Sequence, residues 1–327
     1  MTMMDQGRGI AQPSGLGKHA RPDESTTTSA PSAEPAPEPI GSTLTKPQMP
    51  VNRGIAIGVL ATIALLSAWF LLYTMLLTPF SEARAQAIKY GDLRGTLALQ
   101  TTPYGGDIAP DSPVAILSAP ELGMKDMVVV EGTASSDLML GPGHLRNTPL
   151  LGQIGNSVVM GRPVMFGGPF GKLNQAKVGD TISVTAGQGV FTYIVESVRH
   201  EGSPLPQPLA SGKGRLTLIT SEGSGFLGSW HPDQLLYVDA ALKGDAQQYP
   251  PGRPLVVPSA EWPLHGDPSA LLPLALTLPL LIGAIVFVVW SRNRWGNWQA
   301  WVFGVPLVLA ALFAVSQSAV QLLPNLV

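Results

Sequence analysis

Three stretches of the chain, Gly54 to Leu77, Ala270 to Trp290 and Ala300 to Leu323, are apolar and free of charge over 24, 21 and 24 residues. At about 1.5 Å of helical rise per residue each is long enough for a hydrocarbon core of roughly 30 Å. The pattern predicts one transmembrane helix (54–78) before a long middle segment and two (270–290 and 300–323) after it, the last pair joined by a short loop over 291–299. Between them the pattern changes. Glu82 to Thr101 reads as a helical stalk and Pro103 to Ser112 as a Gly/Pro/Asp loop, the two filling 79–112. Short β-like runs follow at Ala115–Leu117, Met127–Val130, Ser157–Met160, Thr181–Thr185, Val190–Val198, Leu216–Thr220 and Leu235–Ala240. Polar and apolar residues alternate on either side of Ala186-Gly187-Gln188-Gly189, the signature of a hairpin. Strands this short and evenly spaced, with few helical stretches, predict an all-β domain over 113–244, a closed barrel or a sandwich, followed by a linker over 245–269.

Residues 1–53 are rich in Pro, Ser, Thr and Ala and hold no aromatic residue. Too little apolar surface is available there to offset the entropy of ordering, so a disordered tail is expected. Ala83-Arg84-Ala85 has the look of a processing site, but signal-peptide apolar regions are shorter and begin near the N-terminus; an uncleaved signal anchor is the favoured expectation. Lys46 and Arg53 before the first apolar stretch are matched by Arg84, Lys89 and Arg94 after it, which leaves orientation open. Arg292 and Arg294 in the short loop break the tie: a cytoplasmic loop places the tail inside and the middle domain outside.

Composition narrows the chemistry. The 327 residues include no cysteine, which removes disulfides, zinc ribbons and thiol nucleophiles. Only 13% are charged, against roughly 25% in an ordinary soluble domain. With 20 Lys+Arg against 22 Asp+Glu there is no basic excess to offset a phosphate backbone, so nucleic acid is not an expected partner. No His or carboxylate spacing suggests a metal, and no cofactor is expected. Gly223 to Gly228 fits G-x-G-x-x-G, but Trp230-His231-Pro232 follows it in place of a helix, so it is read as chance.

The order of motifs over roughly 113–242 resembles the sortases, most closely actinobacterial, class E-like members. The matching pieces run from Val114-Ala115-Ile116-Leu117, Pro120-Glu121-Leu122-Gly123 and Val129-Val130-Glu131-Gly132-Thr133 to Leu140-Gly141-Pro142-Gly143-His144 and Thr148-Pro149. They continue through Gly155-Asn156-Ser157-Val158-Val159-Met160-Gly161, Phe166-Gly167-Gly168-Pro169-Phe170, Val178-Gly179-Asp180-Thr181-Ile182, Leu216-Thr217-Leu218-Ile219-Thr220 and Leu235-Leu236-Tyr237-Val238. The resemblance implies a closed eight-stranded barrel on the outer face of a Gram-positive cell membrane. In active members it is a transpeptidase in which a cysteine thiolate attacks a sorting-signal peptide, a histidine handles the proton and an arginine stabilises the oxyanion.

The chemistry-bearing positions differ. Where the family has Gly-His this chain has Gly161-Arg162; the nucleophile's place after the Leu-Thr-Leu-x-Thr strand holds Ser221; the arginine opening the last strand corresponds to Gln234. A serine hydroxyl needs a positioned base, and a guanidinium cannot be one. The leading expectation is therefore a pseudoenzyme that binds, through Arg162, Ser221 and Gln234, an extracytoplasmic peptide or protein, with Arg162 favouring an anionic group. A cleft filled by the domain's own side chains counts heavily against the peptide version. The alternative is a serine-dependent transpeptidase or acyl hydrolase using Ser221 with a displaced histidine, His231 or His200, and Glu222 to orient it. His144, in a Gly-Pro-Gly-His turn, is expected to be structural, His200 to end a strand and His265 to lie in the linker. Gly54 and Gly58, with Thr62 extending their seam, and Gln317 with Gln321 are candidate helix contacts to a membrane-protein partner.

Overall fold

A computed structural model describes residues 51–223, 232–248 and 250–327. The first helix runs without a break from the apolar stretch into the stalk: α1 (Val51–Leu72), a π-helical turn (Tyr73–Leu77) and α2 (Thr78–Ala98). The wide turn has a local cause. Pro79 has no N–H and its ring crowds the carbonyl four residues back, and one i→i+5 turn, closed by Thr78 N–H on the Tyr73 carbonyl, relieves that crowding. After α2 come eight strands, β1 (Pro113–Ala119), β2 (Met124–Glu131), β3 (Gly143–His144), β4 (Gly155–Met160), β5 (Thr181–Ala186), β6 (Gly189–His200), β7 (Gly214–Glu222) and β8 (Gln234–Leu242). They close a barrel in the order β1-β2-β3-β4-β7-β8-β6-β5. Of the barrel and sandwich left open by the strand pattern, the barrel is what forms.

Seven strands extend the predicted runs by a few residues at their ends. The eighth, β3, replaces the turn expected at Gly143-His144: it pairs in parallel with β2 and antiparallel with β4, two residues each. No periodicity can announce a two-residue strand. Among the described residues three helices are long and apolar enough to cross a membrane. The last two, α3 (Leu271–Trp295) and α4 (Asn297–Gln321), are packed as a hairpin. The loop expected over 291–299 shrinks to Gly296, whose φ of 104° is the left-handed region a helix-ending glycine accepts without penalty. Leu322 and Leu323, expected to complete the last span, lie beyond the helix, which ends at Gln321, and the residues from there to Val327 fold against the barrel.

Inside the barrel Leu117, Val129, Val159, Ile182, Val184, Leu216, Leu218 and Val238 form one core. The sheet has a weak point at β2, which pairs with β1 along its length but with β3 only at Val130 and Glu131. Gln86 of α2 fills the gap. Its amide nitrogen donates to the carbonyls of Val128 (3.0 Å) and Leu140 (2.7 Å), and its amide oxygen accepts from Val128 N–H (2.7 Å). One side chain thus stands in for a strand, and the helix is a wall of the domain where a free stalk was expected.

Substituting Gln86→Leu, which leaves a buried donor and two acceptors unpaired at 1–3 kcal/mol each before relaxation, is expected to destabilise the barrel by about 2–4 kcal/mol. The thermal melt of the detergent-solubilised protein, followed by near-UV circular dichroism, measures this.

Candidate functional site

Strand alternation sorts the side chains of β4 and β7 onto two faces. Val159, Leu216 and Leu218 enter the barrel core, while Val158, Met160 and Ile219 face outward into a second apolar cluster with Leu138, Leu235 and Leu326. Ser221 continues the Ile219 row, two residues along β7. Arg162 continues the Met160 row past the end of β4. The sheet's outer face therefore brings together two of the three positions singled out from sequence, both of them buried.

Both are occupied by the chain's own residues. Ser221 Oγ–H donates to the carbonyl of Leu326 at 2.5 Å, 105 positions away. Arg162 is wholly buried. Its Nη1 donates to the carbonyl of Val327 (2.7 Å), and its Nη2 to the carbonyl (3.2 Å) and hydroxyl (2.8 Å) of Ser135. The guanidinium also sits 5.2 Å from the centre of the Phe166 ring. Burial pushes the Arg162 pKa down to about 9, which leaves it a cation at neutral pH. The backbone around it is held by Gly161, whose N–H donates to Ile219 and whose Cα lies under the Phe170 ring: a Cβ there would stand 2.6 Å from ring carbons.

Gln234 opens β8 opposite Glu222 and is only partly buried. Glu222, expected to orient His231, instead meets His200 Nε2 at 3.0 Å and accepts from Asn174 Nδ2 at 3.4 Å. His200 ends β6 and its Nε2 is on Glu222, not on Ser221. His231 lies outside the described residues. His265 contacts the carbonyl of Pro263. His144 is wholly buried, with Nδ1 3.0 Å from Glu131 and Nε2 2.9 Å from the Pro149 carbonyl. Arg253 Nη2 donates to the same Glu131 carboxylate. Burial opposes ionisation of Glu131, but the charges and hydrogen bonds of His144 and Arg253 outweigh it and hold the carboxyl below its ordinary range. This network ties the linker back onto β2 and β3. Among the described residues no group of three or more metal-ligating side chains converges.

Sequence reasoning missed the occupant. The segment Leu322–Val327 packs Leu326 into the outer cluster and Val327 against Tyr73, Met139, Met165 and Phe166. Asn325 Nδ2 donates to the carbonyls of Thr133 (2.8 Å) and Trp262 (3.0 Å), and its backbone N–H to His265 (2.9 Å). Its one sequence signal is a proline and an asparagine placed directly after an apolar run. The cleft is not open, which counts against the peptide expectation for the chain as it stands: its positions are filled from within the chain, and Arg162 faces main-chain oxygens of Val327 and Ser135 and the Ser135 hydroxyl.

The cleft wall formed by residues 133–139 depends on Asp137. Its carboxylate accepts from Ala134 N–H at 3.0 Å. Burial, with the neighbouring Asp111 carboxyl adding to it, pushes the Asp137 pKa up to about 8.

Residues 117–225 match the family model of the Sortase domain. Solved structures similar to this chain include three sortases. A sortase D5 transpeptidase of Clostridium perfringens is 19% identical (TM-score 0.39), covering 49% of this chain and 99% of that one. A sortase of Actinomyces oris is 27% identical (TM-score 0.38; 43% and 85%). Sortase E of Streptomyces avermitilis is 30% identical (TM-score 0.35; 42% and 91%). No curated protein matches the chain. The closed barrel has the sortase fold, and the chain carries a sortase domain over 117–225.

The raised Asp137 pKa fixes a sign. The unfolded chain releases this proton near pH 4, whereas the folded chain holds it to about pH 8. Between those values the unfolded state binds fewer protons, so this group's contribution to stability falls as pH rises and levels off above the folded value. Asp137→Asn is expected to flatten the decline of melting temperature between pH 5 and pH 8 relative to the parent, as melts at stepped pH will show.

Proposed function

We propose that this chain, which carries a sortase domain over residues 117–225, is a non-catalytic, membrane-embedded binding protein that serves as an accessory subunit of a membrane complex. The barrel lies on the extracytoplasmic side, the N-terminal tail is cytoplasmic, and the setting is a Gram-positive, actinobacterial cell envelope. The observation that carries this reading is at Ser221: its only proton is donated to the Leu326 carbonyl. Among the described residues no histidine nitrogen is bonded to it. Transpeptidation by a thiol is removed by the lack of cysteine. Arg162, at the position of the family's histidine, is a buried donor with no capacity to accept a proton.

Support for a partner in the membrane comes from the helices. Gln317 on α4 is exposed between the buried Ser316 and Ser318, where the other exposed side chains from Trp301 onward are apolar, and an amide in hydrocarbon gains from a hydrogen bond to another helix. A Cβ at Gly58 on α1 would meet nothing within 4 Å, so a second helix has close access there. Gly54, Gly58, Gln317 and Gln321 are the contact positions assigned to this partner. The serine-enzyme alternative has no geometric support at His200, which is engaged by Glu222.

Affinity purification from native membranes in mild detergent is expected to recover a membrane protein whose yield falls at least about fivefold for Gln317→Leu; a chain that always elutes alone refutes the assembly role. A fluorophosphonate probe is expected to label the parent no more than Ser221→Ala. Labelling lost in that variant would establish serine chemistry instead.

A further inference from the structure

Residues Leu322–Val327 are bound as a peptide ligand is bound. They form no strand with the barrel, and they are recognised at separate points by side-chain and main-chain groups. The Asn325 amide is read by two carbonyls, from Thr133 and Trp262, which a hydrophobic residue could not satisfy. The next two carbonyls are read by Ser221 Oγ–H and Arg162 Nη1–H. Leu326, wholly buried, fills a depression between Leu138, Val158, Met160, Ile219 and Leu235; Val327 fills a second beside Met165 and Phe166. The helix ends at Gln321, and residues 324–327 close a tight turn, Val327 N–H donating to the Pro324 carbonyl at 3.2 Å, so these groups are presented on a turn. The linker before α3 closes the other side: Asp267 N–H donates to Gln321 and Asn325 N–H to His265. At Gly266 a Cβ would stand 2.3 Å from the Leu322 carbonyl, so the two backbones touch directly.

We infer that the outer face of β4, β7 and β8 is a binding site for a turn-forming peptide segment with asparagine followed by two aliphatic residues, and that Leu322–Val327 is its ligand in cis. Withdrawing that segment opens the site to a free peptide of the same chemistry. Two buried polar atoms of the arrangement, Arg162 Nε and Asn325 Oδ1, have no hydrogen-bond partner among the described residues, so the cis complex holds a donor and an acceptor still unmatched. A tethered segment acts at an effective concentration of about millimolar for a short linker. A free peptide therefore competes poorly with it in the parent and well when the tethered copy is disabled. This deepens the binding reading above by naming the ligand's chemistry, and its geometry does not depend on the membrane partner.

The test uses the full chain in detergent micelles and the fluorescein-labelled peptide Leu-Leu-Pro-Asn-Leu-Val-amide. Fluorescence polarisation is expected to show at least tenfold tighter binding to Leu326→Asp than to the parent, and at least about fivefold loss when the peptide's Asn is replaced by Ala. Equal binding by parent and variant, or indifference to the Asn, overturns the inference. Asn325→Ala, which removes hydrogen bonds but little apolar contact, is the second variant should Leu326→Asp lose its near-UV spectrum. The cysteine-free sequence gives an independent readout. Cys introduced by Ser221→Cys is expected to react with a water-soluble maleimide at least tenfold more slowly than Cys introduced at the exposed position by Ser211→Cys, and Asn325→Ala to speed it. Equal rates in the parent background refute occupancy. Because the readout is occupancy, rapid labelling with intact partner capture would sink this inference alone, and slow labelling with failed capture the assembly role alone.

Discussion

A hydroxyl and a guanidinium on an apolar sheet face, both out of reach of water, must find acceptors inside the fold. Ser221 and Arg162 find them in two consecutive carbonyls, Leu326 and Val327. The desolvation penalty of a buried cation left without hydrogen bonds is several kcal/mol, so this pairing constrains much else. It fixes where α4 ends, brings the linker around 262–267 alongside, and draws the wall at 133–139 into contact through Ser135 and Thr133. The apolar row of Val158, Met160 and Ile219 is covered as a result.

A second tether lies on the opposite flank of the sequence. Through Gln86, α2 completes the hydrogen bonding of β2, and through Thr78 Oγ1, which accepts from Phe166 N–H at 3.2 Å, it steadies the loop after Arg162. The helices that precede and follow the barrel are therefore attached to it by polar groups with defined geometry, in addition to apolar packing. Tyr73, in the π-helical turn, packs edge-on to Phe313 of α4 at 5.5 Å, and Trp69 Nε1–H donates to Ser316 Oγ at 3.0 Å.

Seven strands and three long apolar helices could be read from periodicity and turn chemistry, because those signals are local. Gly143-His144 could not, since two residues carry no period. The break over 291–299 was overextended because Arg292, Arg294 and Gln299 end the apolar pattern without ending the helix; Gly296 alone has the backbone freedom to turn it. At the site, motif order located Arg162, Ser221 and Gln234. The outward row shared by the first two follows from alternation, but what covers that row does not. Leu326 and Asn325 are separated from their partners by 105 and 192 positions, and nothing in the local pattern of an apolar helix end says which distant face it meets. Gln86 was illegible for the same reason: a glutamine on a helix reads as solvated until a strand with a missing neighbour is placed beside it.

The distance along the chain between Ser221 and Leu326 also orders events in time. A ribosome adding roughly 5–20 residues per second completes β7 about 5–20 s before it reaches Leu326, and both later apolar helices must be made and placed in between. Throughout that interval the outer row of the barrel is uncovered and Arg162 lacks one of its acceptors. The closing of the cleft thus waits on the synthesis of α3 and α4, which lie between the two partners in the chain.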